Sequence, residues 1–410
     1  MHFFAVLSRI FHTIVVGVML VLTNSAAHPL PSPSSIPGPL PPSGVIAFMP
    51  GTTTPSGIEA LIPSPFKNSK ATIATTSPAQ PIKKVSTVAA TTTKPKALPK
   101  ATPTSVVAPS PTPTETPKPA EQPQEVIPSA DINAQARASV VNILCNVGGA
   151  GSLNPISGTG IIIDPSGIVV TNAHVGQFFL LRDYPVKNNI DCIIRTGNPA
   201  RATYRAELLY FPFVWMQQNA QKIISQNPTG TGERDYSLLY ITGRIDGTSL
   251  PASFPYLSPY VGDVFNLDDE ILLAGYPAGF IEGITIQTNL FASSAFGKIN
   301  EIFTFKDGGA ADLISIPGTI LSQKGASGGA AVRSSDGKIV GLIATATQAD
   351  NTAQRDLRAI TMGHIDRTLT EDTGHNLRYV LTNDPQASAR LFNLTLAPTL
   401  TKMLTTVLNR

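Results

Sequence analysis

Three short segments of this chain carry side chains that could share one reaction. Thr171-Asn172-Ala173-His174-Val175 puts a histidine directly after the apolar run Ile168–Val170. A ring held at a strand end can reach the surface, which suits a general base that must come within hydrogen-bond reach of a nucleophile. Gly325-Ala326-Ser327-Gly328-Gly329-Ala330 supplies a serine set among small residues. A serine hydroxyl is a poor nucleophile until a base takes its proton, and the oxyanion formed by its attack needs fixed donors. Flanking glycines let the backbone turn sharply and bring its N–H groups close to a substrate carbonyl. Asp235 heads the otherwise apolar run Tyr236–Ile241. A carboxylate there can accept from a histidine ring N–H and fix its tautomer. Other acids nearby are Asp246, Asp263, Asp268 and Asp269, and none leads a comparable strand.

The elements that must hold these residues are short β-rich runs broken by Gly, Pro, Asn and Asp. The clearest are Val140–Val147, Gly160–Ile163, Ile168–Thr171, Tyr236–Thr242, Ile271–Ala274, Leu313–Ile316 and Ile339–Ala344, with Pro165-Ser166-Gly167 as a tight turn. Many short strands at this spacing predict an antiparallel barrel or sandwich, without βαβ units. Phe211 to Arg234 breaks the rhythm, because Trp215–Lys222 reads as helical, and the segment has the character of an insertion. Leu400, Met403, Leu404, Val407 and Leu408 follow helical periodicity near the C-terminus. They predict a short amphipathic helix, packed on the barrel or offered to a membrane or partner.

Most of the chain's 36 prolines precede Asp131, in a stretch thick with Thr, Ser and Ala. Such a stretch has too few large apolar side chains to offset its ordering entropy. Residues 28–130 are therefore expected to be a disordered, partly polyproline linker, which leaves roughly 240 residues for a core. Ahead of it, Arg9, the apolar run Ile14–Leu22 and Ser25-Ala26-Ala27 make residues 1–27 a signal peptide or an N-terminal membrane anchor. Either reading carries the domain out of the cytoplasm, secreted or held at the outer face of the membrane. Two cysteines in an exported chain favour a disulfide between Cys145 and Cys192, each in a β-like run. Net charge is only +3 with no strong basic run, which argues against nucleic acid. His, Cys and carboxylates form no cluster at metal-ligand spacing, so no metal or cofactor is expected. His364 and His375, near the C-terminal edge, read as surface residues.

The chain order His174…Asp235…Ser327 matches the chymotrypsin arrangement and neither the subtilisin nor the α/β-hydrolase order. With Gly158-Thr159-Gly160-Ile161-Ile162-Ile163, Gly275-Tyr276-Pro277-Ala278-Gly279 and Gly341-Leu342-Ile343, the chain resembles trypsin-like serine peptidases from about Val140 to Leu369. The resemblance is strongest to their bacterial HtrA-like branch. It implies an all-β fold, a double six-stranded antiparallel β-barrel over 131–370, with the triad in the cleft between the barrels. It implies that the backbone N–H groups of Gly325 and Ser327 form the oxyanion hole. By the same analogy Leu321, Ala344, Thr345 and Ala346 wall the primary specificity pocket. Ala326 departs from the family, which usually has Asp or Asn before the nucleophile. Residues 371–410 are too few for a PDZ domain and are read as a tail.

The expected activity is that of an exported serine endopeptidase acting on protein or peptide substrates. Ser327 would attack the scissile carbonyl, and His174 would take its proton and pass it to the leaving amine. Asp235 would orient the ring, and water would then hydrolyse the acyl-enzyme. The alternatives are a catalytically silent protease fold that only binds, and a cell-surface stalk in which the linker is the functional part.

Overall fold

The computed structural model describes residues 128–410 other than 152, 226–228, 280–282 and 347–353. The expected leader at 1–27 and nearly all of the linker at 28–130 lie outside the described residues.

A helix absent from the sequence reading, α1 (Ser129–Ser139), opens the fold and buries Ile132 and Ala136. Six strands follow: β1 (Val140–Val147), β2 (Ile156–Ile162), β3 (Ile168–Thr171), β4 (Ile190–Thr196), β5 (Arg201–Tyr210) and β6 (Ser237–Arg244). They close into an antiparallel barrel in the order β1-β2-β3-β6-β5-β4. Alternation places Val141, Ile143 and Cys145 of β1 in one apolar cluster with Val169, Ile194, Leu208, Leu239 and Ile241. Val140 turns the other way, into a second cluster shared with Leu272, Ala274, Ala330, Leu342 and Ile360 of the following sheet. That second cluster joins the two halves.

Cys145 and Cys192 stand opposite each other in the β1–β4 register and form a disulfide, Cα atoms 3.9 Å apart. It closes a 47-residue separation. Cross-linking a loop of that length removes chain entropy worth about 4 kcal/mol from the unfolded state. Reduction, or Cys192→Ser, should lower the unfolding free energy by about that amount in denaturant melts. A loss under about 1 kcal/mol would show that the bond adds little to barrel closure.

The second half is a seven-stranded antiparallel sheet where six strands are expected. Its strands are β7 (Glu270–Gly275), β8 (Ser293–Lys298), β9 (Glu301–Phe303), β10 (Leu313–Ile316), β11 (Ala330–Arg333), β12 (Ile339–Ala346) and β13 (Leu357–Thr361), in the order β8-β7-β11-β12-β13-β10-β9. Its edges β8 and β9 are consecutive in the chain, separated by Ile299-Asn300, and the sheet curls into a half-barrel. The extra strand is the short β9, which pairs antiparallel with β10.

Helices cover the first barrel. The one-turn helix α2 (Ala173–Gly176) carries His174, and the segment read as an insertion contains α3, a seven-residue helix at Phe213–Asn219, followed by a 3₁₀ turn at Ala220–Ile224. The short α4 (Ile284–Thr288) lies between β7 and β8. After β13 come α5 (Met362–Thr373), α6 (Leu377–Thr382), α7 (Pro385–Thr395) and α8 (Ala397–Leu408). The expected tail is thus a run of helices, capped by Asn376 and Asp384 side chains. In α8, Leu400 and Leu404 are fully buried in the cluster that holds Trp215, Met216 and Phe178. Each such leucine contributes about 1.5–3 kcal/mol by leaving water. The periodic face of α8 therefore packs on the barrel, against the helical insertion.

His364 corrects the sequence reading. It is 4% exposed, and its Nδ1 lies 2.7 Å from Asp312 Oδ1. The residue is on the inner face of α5, which the sheet covers; a polar residue in a polar context gave no sign of that. Arg367 donates to the same carboxylate oxygen at 2.7 Å, and the Phe305 ring meets the imidazole edge-on. His375 is exposed, stacked on Tyr379.

Candidate active site

β3 and β6 pair antiparallel with Thr171 opposite Ser237. The chain leaving β3 and the chain entering β6 therefore meet, which brings His174 and Asp235 together across 61 residues. Asn172 fixes the exit: its Nδ2 donates to the Asp235 carbonyl at 2.8 Å, and its own carbonyl accepts from the Gly176 N–H at 2.9 Å. The α2 turn that follows presents the ring. Asp235 then holds His174 twice. Its Oδ1 accepts from the backbone N–H at 2.9 Å, and its Oδ2 lies 2.8 Å from ring Nδ1. A third of the His174 side chain is exposed, while the Asp235 side chain is 10% exposed.

These surroundings set the histidine's proton affinity. Burial favours the neutral ring and lowers its pKa, but the adjacent Asp235 carboxylate, by charge and by hydrogen bond, raises it further than burial lowers it. The net result is a pKa above the ordinary 6.5.

Asp235 is held in turn by the residue before it. Arg234 takes a left-handed backbone (φ 55°), a conformation that costs a non-glycine residue about 1–3 kcal/mol. Its guanidinium pairs with Asp372 at 2.6 Å and Glu371 at 2.5 Å on α5. These contacts hold the turn that aims Asp235.

The serine loop is built by hydrogen bonds on both sides. Gly328 N–H donates to Ile343 O at 2.7 Å, Gly329 N–H to Ala326 O at 2.8 Å, and Ala278 N–H to Lys324 O at 2.8 Å. Thr159 N–H on β2 donates to Ser327 O at 2.8 Å, tying the loop to the first barrel. Among the described residues, the N–H groups of Gly325 and Ser327 have no acceptor. Two glycines are dictated by space and backbone alike. At Gly325 (φ +90°) a Cβ would lie 2.7 Å from Tyr276 O, and at Gly328 (φ +86°) only 1.9 Å from Thr159 O. No other residue fits either position.

Ser327 is half-buried at the junction of the two halves. Thr159, which holds its carbonyl, also accepts from Thr171 Oγ1 at 2.7 Å, three residues ahead of His174. Leu321 is buried in an apolar cluster with Leu273, Ala326, Ile343 and Leu357. Ala344 is buried in the cluster on the other face of β12, near Gly232. The two side chains therefore do not face one common space; of Thr345 and Ala346 only the backbone of β12 is described.

Sequence reasoning took Asn172 only as a turn former and missed four further positioning residues: Thr159, Thr171, Arg234 and Arg195. Thr159 and Thr171 both stand in the motifs named above, but a threonine on a strand reads as a β-former. Their partners are distant in the chain, so no local pattern marks them. Arg195 is 2% exposed and donates to the carbonyls of Ala200, Ile286 and Gln287 at 2.8–3.0 Å. It thereby anchors α4 to the first barrel.

Residues 158–342 match the family described as Trypsin-like peptidase domain. That span contains His174, Asp235 and Ser327 and supports a peptidase. No curated protein matches the chain.

Proposed function

We propose that the chain is a serine endopeptidase that cleaves peptide bonds through an acyl-enzyme. One observation carries the reading: Asp235 grips both the backbone N–H and the ring of His174, and a glycine-built serine loop carries two N–H groups with no acceptor among the described residues. Ser327 Oγ attacks the scissile carbonyl as His174 takes its proton. The carbonyl oxygen, now negative, is met by the N–H groups of Gly325 and Ser327. Collapse of the adduct expels the amine, protonated by His174, and leaves the acyl ester on Ser327. Water, deprotonated by His174, repeats the sequence and frees the acid. Asp235 keeps the ring proton on Nδ1 and stabilises the imidazolium.

A fluorophosphonate probe tests the assignment. The wild-type chain should take up one equivalent and lose activity on labelled casein, and Ser327→Ala should take up none. A wild-type chain that stays unlabelled overturns the reading in favour of a silent binding module.

We also propose kinship with the HtrA-like branch and work outside the cytoplasm, which the motif set and the apolar run Ile14–Leu22 support. The Cys145–Cys192 disulfide supports an oxidising compartment. For specificity we propose small-to-medium apolar residues, such as Val, Ala or Leu, just before the cleaved bond. Leu321 and Ala344 lie in separate clusters, so what supports the proposal is residue type at the positions the family resemblance names. None of Leu321, Ala344, Thr345 and Ala346 is a carboxylate that could pair with a buried Arg or Lys, and an unpaired buried charge is costly. A substrate-library profile dominated by Arg or Lys at that position would sink this proposal.

A further inference from the structure

We infer that the hydroxyl of Thr159 is the positioning group that keeps the oxyanion loop in its working shape; this rests on the serine-peptidase reading above. Thr159 is fully buried on β2, in the first barrel. Its Oγ1 donates to the Gly325 carbonyl at 2.8 Å, across 166 residues. The same oxygen accepts from the Tyr276 N–H at 2.9 Å, across 117 residues. One hydroxyl therefore joins the first barrel, the exit of β7 and the serine loop.

The consequence follows from peptide geometry. In a trans peptide the carbonyl and the N–H point in opposite directions. Two residues beyond Tyr276, the Ala278 N–H holds the Lys324 carbonyl, so the N–H of that same peptide, which belongs to Gly325, is turned the opposite way. Holding the Gly325 carbonyl fixes the next peptide as well. Both peptides flanking Gly325 Cα are thus set, one by Oγ1 directly and one through the segment that Oγ1 anchors at Tyr276. Gly325 lacks a side chain and adopts φ +90°, so its rotation is limited by these bonds together with the weaker Ala326 N–H to Gln323 O contact at 3.2 Å.

Thr159→Val keeps the shape of the side chain and deletes only the hydroxyl. The Tyr276 N–H and the Gly325 carbonyl then lose their partner in a buried place, and the loop gains by turning to find others. Removing an oxyanion donor outright slows an enzyme about 10²–10³-fold. Misaiming one should cost a part of that, about 10- to 100-fold in kcat and in the fluorophosphonate labelling rate. KM for labelled casein and the pH midpoint of activity should stay at wild-type values, because His174 and Asp235 are untouched. Thr159→Ser, which keeps the hydroxyl, should restore the rate to within about threefold of wild type.

A folded Thr159→Val protein that labels at the wild-type rate overturns the inference, as does a Thr159→Ser protein as slow as the valine variant. If Thr159→Val does not fold, hydrogen exchange on the full-length Ser327→Ala chain decides. A Tyr276 amide as protected as those of β7 supports the anchor, and one exchanging at the rate of an open loop overturns it. A wild-type chain that neither labels nor cleaves removes the peptidase reading itself, and the inference with it; a failure confined to the Thr159 variants removes only the inference.

Discussion

Ser327→Ala should abolish peptide hydrolysis while leaving the fold and its melting temperature near those of the wild type. The substitution deletes one oxygen from a half-buried side chain. The loop bonds around it run through backbone groups: Thr159 N–H to Ser327 O, Gly328 N–H to Ile343 O and Gly329 N–H to Ala326 O. None of them needs the hydroxyl. The chemistry does, because the remaining path is direct attack by water with only the oxyanion donors to help. Loss of the nucleophile in such a unit costs about 10⁴–10⁶ in turnover. Casein hydrolysis measured beside circular dichroism checks both halves of the expectation. Residual activity within tenfold of wild type, after purification free of host proteases, would move the nucleophile elsewhere.

Asp235→Asn should be nearly as severe, and its pH dependence should carry a signature. The backbone N–H of His174 selects the orientation of the new amide, since it needs an acceptor where Oδ1 now lies. The amide NH₂ then faces ring Nδ1, where Oδ2 was. An amide that donates to Nδ1 forces the ring proton onto Nε2, the nitrogen that must accept from serine. The wrong tautomer should lower kcat on the order of 10⁴-fold. The sign of the pH effect follows from the same contacts. In the wild type, burial lowers the His174 pKa and Asp235 raises it more, giving a value above 6.5. The working base is the neutral ring, so kcat/KM rises with pH along a limb whose midpoint lies above 6.5. Without the carboxylate only burial remains, and the midpoint of the residual activity should fall below 6.5. A limb that stays in place would mean that Asp235 does not govern the histidine.

The β-rich class, the helical insertion and the Cys145–Cys192 pair were legible in the sequence, because each leaves a local mark. Ile168–Thr171 and Leu313–Ile316 read as strands with the bounds they have, since short runs of buried β-branched and aliphatic residues have few other uses. The candidate residues His174, Asp235 and Ser327 are proposed on the same kind of mark: a strand end, a strand head and a glycine-rich turn. Other elements left no such mark. β5, Arg201–Tyr210, carries Arg201, Arg205 and Glu207 on a largely exposed face, so its apolar alternation is diluted. The helices α6 and α7 are short and depend on the Asn376 and Asp384 caps.

What only the tertiary structure decided is which groups share a hydrogen bond. Residue types, order and periodicity belong to the chain itself and survive without folding. The bonds of Thr159 to Gly325 and Tyr276, of Asn172 to Asp235, and of Arg195 to the end of α4 span from 63 to 166 residues or join strands to loops of no regular pattern. His364 became a buried partner of Asp312 for the same reason, as α5 and β10 met only when the sheet curled. The sequence by itself determined which side chains could do the chemistry. Their aim was decided by packing, because a side chain's direction depends on neighbours that the chain brings close only after it has closed two sheets around them.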